Sequence, residues 1–284
     1  MTFLVLVVGL LILRFHGHVR SLHKDDWFRA WSAKLEQARW VPHDGVRVLL
    51  TVLLPVAALA LLLWLLRDWG LVSFVLALVV LLYSLGRGDL EDELATYRQA
   101  VRRGDTQAAY HGVTPINRGD SEASNWLELQ QELVAGLPYR LFEREFAVVF
   151  WFAVLGPAGA LLYRLAWLRA VAITTPTAVP GVSGSEWPVS RLLALLEWLP
   201  ARLLIPSMAV VGNFTPVMQL AGRLFLGSYP APTLLALLVE TALGWRSEDL
   251  EGRNGRDVVA DIQALMRRAL VLWVLLVAVW VLFI

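Results

Sequence analysis

Val48–Leu66 reads VLLTVLLPVAALALLLWLL, nineteen consecutive residues without a charge. A helix needs roughly 17–25 such residues to cross the hydrocarbon core of a bilayer, so this stretch is read as a transmembrane span. Working outward, Trp69–Leu85 is uncharged over seventeen residues, Phe146–Tyr163 over eighteen and Ala269–Ile284 over sixteen. Leu203–Gly222 is uncharged too, but Pro206, Asn213, Thr215, Pro216 and Gln219 make it a poor match to lipid. Leu224–Val239 is interrupted by Pro230 and Pro232. Irregular backbone at membrane depth survives only where protein surrounds it, so 187–239 is predicted to hold broken or re-entrant helices. Pro55 and Pro157, inside good spans, predict kinks. The fold class is all-α: a polytopic helical membrane protein with a small cytoplasmic helical subdomain.

Composition agrees with that reading. The 284 residues are 57% hydrophobic and 17% charged, against about 45–50% and about 25% in soluble chains. Thirteen Trp suit several membrane–water interfaces, where amphipathic rings settle. A net charge of +1 argues against a nucleic-acid binder, which would need a basic stripe against phosphates. The absence of Cys removes disulfides, thiolate metal sites and cysteine nucleophiles. No cofactor and no metal are expected; His16, His18 and His23 do not share one helical face, and an interfacial helix start explains them better.

Met1–Leu13 is apolar and is followed, not preceded, by Arg14 and Arg20, so it is read as a short retained first span rather than a cleaved signal. Lys and Arg set the orientation. Segment 14–47 holds seven, the turn after Leu66 holds only Arg67, segment 86–145 holds seven and 240–268 holds five. Positive charge stays inside, which predicts an outside N-terminus, those three segments in the cytoplasm, one crossing within 187–239 and an outside C-terminus. The chain divides into N-terminal membrane helices with their loop (1–85), the cytoplasmic helical subdomain (86–145) and a C-terminal membrane region (146–284).

Within 86–145, Leu90, Leu94, Tyr97 and Val101 recur at helical spacing and Gly104 supplies a stop. A break is predicted at His111–Asp120, around Gly112, Pro115 and Gly119, with a second helix from about Ser121 carrying Trp126, Leu129, Leu133 and Leu137 on one face. Thr174–Glu186 lacks the phosphate-loop pattern and is read as a connector.

Charges beside or within spans are the candidate site residues. Glu197 and Arg202 flank Pro200 in Leu192–Leu204 (LLALLEWLPARLL), and ionisable groups at membrane depth persist by pairing or by lining a polar cavity. Pro200 lacks an N–H and so frees the carbonyl of Leu196. The expectation is a helix broken there, with either a snorkelling Arg or a buried site for an anionic group. Arg140, Glu143 and Arg144 share a helical face just before Phe146–Tyr163, explained by anchoring at the span end or by a ligand role. Arg164 completes the set of ligand-binding candidates; no catalytic residue is assigned. Gly156 and Ala160 form a small-residue face suited to a homodimer or to packing within one chain.

Leu127–Phe152 (LELQQELVAGLPYRLFEREFAVVFWF), Gly156–Arg164 (GPAGALLYR) and Glu197–Leu203 (EWLPARL), in this order, resemble the AmpE family. The resemblance implies an inner-membrane protein of Gram-negative bacteria, encoded beside the muropeptide amidase AmpD and linked to β-lactamase induction. That family is in turn similar to cobalamin-biosynthesis membrane proteins of the CobD/CbiB type, which join an aminopropanol-like group to a corrinoid carboxylate. Gly159–Arg164 keeps their G-A-L-x-Y-[KR] piece, Glu143 falls where they carry Asp, and Pro200-Ala201-Arg202 is retained. Tyr139 and Arg140 replace their Glu-Asn, and Trp167 and Ala170 replace their later Asn and Asp. Three functions follow: a non-catalytic sensor or signalling modulator in cell-wall recycling and β-lactamase induction, a CobD-like amide-forming enzyme, or a transporter of a small anionic solute. Expected partners are membrane lipid and a muropeptide or other small anionic ligand, with no nucleic acid.

Overall fold

The structure, a computed structural model, describes residues 2–16, 24–37, 44–85, 90–117, 123–174, 186–245, 250 and 255–283. Among these the chain forms α-helices and no strand: α1 (Thr2–His16), α2 (Asp26–Gln37), α3 (Asp44–Leu65), α4 (Gly70–Ser84), α5 (Leu90–Arg103), α6 (Thr106–Asn117), α7 (Trp126–Leu141), α8 (Ala147–Thr174), α9 (Glu186–Val211), α10 (Phe214–Leu226), α11 (Ala231–Leu243) and α12 (Gly255–Phe283). A π-helical turn, Phe142–Phe146, joins α7 to α8. Four helices are long and apolar enough to cross a membrane, spanning Gly45–Leu65, Trp126–Ala172, Pro188–Val211 and Asp257–Trp280. The chain forms two compact units, Met1–Arg87 with Ala147–Glu197, and Gly88–Phe146 with Trp198–Ile284.

In the first unit α1 packs on α4 and α8, and α3 and α4 pack on α8. Gly9 allows the approach of α1: a Cβ there would stand 2.8 Å from Leu81 Cδ2. The outward side of α3 is apolar, with Leu61 57% and Trp64 60% exposed, a surface suited to lipid rather than water. The expected span Trp69–Leu85 yields the fifteen-residue α4, about 22 Å long and short of the roughly 30 Å core. Pro55 lies inside the continuous α3. The kink expected at Pro157 falls at Gly156, which adopts φ 68°, ψ −157°, a region that only glycine visits readily. Nothing lies within 4 Å of a Cβ built at Gly156, whereas one at Gly159 would meet Trp151 O and Leu155 Cβ. Ala160 is fully buried within the chain.

The amphipathic α2 buries Phe28, Ser32 and Leu35 against this unit. Trp31 donates its indole N–H to the carbonyl of Thr51 at 3.1 Å, and the Tyr83 hydroxyl donates to Asp25 Oδ1 at 2.9 Å. At the other end of the helix, Arg169 Nη1 stands 2.6 Å from Glu36 Oε1.

In the second unit α5, α6 and α7 pack side by side, α11 and α12 cover α7, and α10 rests on α11. Gly104 ends α5 with φ 66°, as its sequence position implies. The break expected at His111–Asp120 is corrected over His111–Asn117, through which α6 runs, while residues 118–120 lie outside the described residues. Burial outweighs propensity here, because Ala109, Val113 and Ile116 are buried and a Cβ at Gly112 would lie 3.0 Å from Tyr97 Cα. The glycine permits close helix packing instead of ending the helix. Asp105 Oδ1 accepts from the N–H of Ala108 at 3.0 Å, capping α6. The next helix starts at Trp126, not Ser121, where Asn125 Oδ1 accepts from Glu128 N at 2.9 Å and Glu128 Oε2 from Ser124 N at 2.6 Å. Leu129, Leu133 and Leu137 are buried, as their spacing implies.

Segment 187–239 is broken, but not at Pro200. Helix α9 continues through Pro200 and Pro206 to Val211, and the interruptions fall at Gly212–Asn213 and Gly227–Pro230. A Cβ at Gly212 would approach Ala242 O to 2.8 Å, and Asn213 N donates to that same carbonyl at 2.9 Å. The close contact between the ends of α9 and α11 stops the helix where neither proline does. The Thr174–Glu186 connector and the His16, His18 and His23 group fall largely outside the described residues.

Candidate functional site

In the second unit the strongest concentration of buried charge surrounds the π turn. Arg140 Nη1 stands 3.0 Å from Glu143 Oε1, and Arg140 Nη2 stands 3.3 Å from Glu93 Oε2 on α5. One guanidinium thus holds two carboxylates from different helices, and its side chain is only 11% exposed. A π turn inserts an extra residue and turns it inward, a feature frequent at functional sites. Here Phe142, Glu143, Arg144 and Phe146 are all buried. Arg140, Glu143 and Arg144 are therefore brought together, as their spacing implies. Glu93 was not legible as their partner, because a long sequence separation hides such a contact.

Farther along α5, Arg98 Nη2 donates to Gln263 Oε1 at 2.6 Å, and Gln263 Nε2 donates to Glu91 Oε1 at 3.0 Å. The Tyr97 side chain on α5 is fully buried, its hydroxyl meets no hydrogen-bond partner among the described residues, and burial pushes its phenol pKa up.

In the first unit Tyr163 donates its hydroxyl to Glu197 Oε1 at 3.1 Å, both side chains buried. Arg164, also buried, places its guanidinium carbon 4.2 Å from the centroid of Trp167, a cation–π contact. The Leu196 carbonyl that Pro200 frees accepts the indole N–H of Trp151 at 2.9 Å. Arg169 and Glu36, neither of them among the sequence candidates, form the buried pair described above. An arginine at the end of a largely apolar helix was the available signal.

Arg202 belongs to the second unit. Its Nε donates to Phe225 O at 3.3 Å, its Nη2 to Gly227 O at 2.9 Å and its Nη1 to Trp198 O at 3.2 Å. The guanidinium carbon also stands 4.4 Å from the Trp198 ring centroid. The last carbonyls of a helix lack internal donors and carry partial negative charge. Arg202 caps the end of α10 with its planar fork, and these three donors face main-chain carbonyls.

No group of three or more metal-ligating side chains occurs among the described residues. What the fold and these sites define is an all-α protein with membrane-crossing helices and buried, internally paired charges. The profile described as regulatory signalling modulator protein AmpE matches residues 1–218, and the chain belongs to that family. Family membership supports a signalling role. The chain is also 27% identical over 223 residues to the cobalamin biosynthesis protein CobD of Chromobacterium violaceum, covering 74% of this chain and 69% of that protein. It is 29% identical over 224 residues to the CobD of Stutzerimonas stutzeri, covering 74% and 70%. No solved structure matches the chain.

Proposed function

We propose that the chain is a multi-pass protein of the bacterial inner membrane that modulates signalling in cell-wall recycling and β-lactamase induction, alongside the amidase AmpD and without catalysing a reaction. The observation that carries this reading is the guanidinium of Arg140 shared by Glu93 and Glu143. Such a site suits exchange of partners: a muropeptide carboxylate or other small anion competes with the two glutamates, and the helices they tie together respond. Breaking a buried pair by removing one partner costs about 3–5 kcal/mol, so ligand and internal carboxylates compete for a strong interaction. In this reading segments 14–47, 86–145 and 240–268 are cytoplasmic and both termini are outside.

The test is β-lactamase inducibility in a deletion strain complemented with Arg140→Lys or Glu143→Gln, with membrane abundance checked by immunoblot. Altered inducibility at normal abundance supports the reading; full complementation by both variants overturns this site. A C-terminal alkaline phosphatase fusion is expected to be active, and an inactive one at normal abundance overturns the orientation.

A second reading is favoured by the two CobD relatives: an amide-forming membrane enzyme acting on a corrinoid carboxylate. Retention of Gly159–Arg164 supports it, and replacement of the later Asn and Asp by Trp167 and Ala170 weighs against it. Restoration of cobalamin synthesis in a CobD-deficient strain distinguishes it from the first.

A further inference from the structure

Lys24 and the α2 helix carry three basic and three acidic side chains between residues 24 and 37: Lys24, Arg29 and Lys34 against Asp25, Asp26 and Glu36. As sequence this segment is neutral. The fold divides the charges unequally. Asp25 accepts from the Tyr83 hydroxyl at 2.9 Å and Glu36 pairs with Arg169 at 2.6 Å, so two of the three carboxylates are engaged by the body of the unit. Lys24, Arg29 and Lys34 are all exposed, and Asp26 is the one acid of this segment that is exposed with them. The exposed charge of the segment is therefore basic on balance.

The contacts of α2 also fix its level. It meets Thr51 near the start of α3, Tyr83 at the end of α4 and Arg169 near the end of α8. Those are the ends of apolar helices, the level at which, in a bilayer, hydrocarbon would give way to headgroups. Trp27 is 45% exposed and Trp31 partly so, the aromatic placement typical of that interface.

From these facts we infer that α2 is a lipid-binding helix whose exposed basic side chains, Arg29 and Lys34 on its two flanks and Lys24 just before its start, hold anionic phospholipid headgroups. Lysine and arginine beside a membrane are attracted to an anionic leaflet within a Debye length, about 8–10 Å at 0.1–0.15 M salt. This inference requires the helix to lie at a membrane surface and is independent of any role in β-lactamase induction.

The chain has no Cys, so the exposed Ala30 accepts a unique label as Ala30→Cys. The full-length labelled protein is reconstituted in vesicles of phosphatidylcholine alone or with phosphatidylglycerol, each doped with the same headgroup-attached quencher carried on the anionic lipid at trace level. Enrichment of anionic lipid around α2 is expected to raise quenching by about twofold over a distant exposed reporter position, and 0.5 M salt is expected to reduce it. The Lys24→Gln/Arg29→Gln/Lys34→Gln variant is expected to lose the enrichment, while Asp26→Asn increases it. All four substitutions are at exposed positions, and an unchanged thermal midpoint in detergent certifies folding. Quenching that is insensitive to salt and unchanged by both variants overturns the inference, as does saturable binding of an acidic protein segment that persists when phosphatidylglycerol is omitted and displaces no lipid quencher.

Discussion

Trp151 supplies the donor that Pro200 takes away: its indole N–H reaches the Leu196 carbonyl at 2.9 Å. That carbonyl sits four residues before the proline, where a regular helix would satisfy it from within. The cross-helix bond explains how α9 passes Pro200 without breaking.

Trp151→Phe is expected to lower stability by about 1–3 kcal/mol, the cost of leaving a buried acceptor without a donor. In a Pro200→Ala background the helix recovers its own N–H, and the same substitution is expected to cost measurably less. Unfolding in mixed detergent micelles over the four-member cycle checks the coupling; additive effects sink the explanation.

Arg202→Ala is expected to cost about 2 kcal/mol through loss of charge-assisted bonds to three carbonyls. Arg202→Lys is expected to recover only part of it, since a single ammonium does not reproduce the planar fork. Limited proteolysis should then cut more readily within Gly227–Pro230 in both variants. A snorkelling arginine would tolerate lysine fully, and equal midpoints for wild type and Arg202→Lys would favour that alternative.

Tyr97 offers a test by pH. Its folded-state pKa is raised by burial, whereas an unfolded tyrosine titrates near about 10. Below that value both states hold the neutral phenol and the stability is fully present. As pH rises past it toward the folded-state value, the unfolded chain ionises first and stability is lost. Tyr97→Phe is expected to reduce this alkaline loss and to leave stability at pH 8 unchanged or higher, because it removes a hydroxyl with no partner among the described residues. Denaturation curves at pH 8 and pH 11 for both proteins measure the difference; parallel losses would contradict it.

Helical class, the span in α3 and the buried face of α7 were legible from hydrophobic spacing. Trp69–Leu85, by contrast, gave a helix too short to cross, and Pro188–Val211, continuous through two prolines, did not read as a span. The same spacing put Arg140 beside Glu143, and the chemistry of proline identified Leu196 as a free acceptor. What remained hidden was every relation that depends on a distant partner. Gly112 read as a break because nothing local reveals that Tyr97 packs against it. For Arg202 the sequence left a snorkelling side chain and a polar site both open, and the carbonyls of Phe225 and Gly227 that it meets were not legible because they lie more than twenty residues away. Arg169 went unselected for the same reason, since Glu36 is far off in the chain.

Gly156 and Gly159 stand three residues apart on α8 and are required on different grounds. At 159 Trp151 O and Leu155 Cβ occupy the place an ordinary Cβ would take, so the natural residues other than glycine clash there. At 156 the space is open and only the left-handed backbone, φ 68°, excludes ordinary residues. A mirror-image amino acid has the opposite preference. D-alanine introduced at 156 by chemical ligation would therefore escape the backbone strain that L-alanine meets there, whereas at 159 the obstacle to L-alanine is the occupied space. The kink in α8 is held by handedness, and a substitution scan restricted to the twenty natural residues would report the two glycines as equivalent.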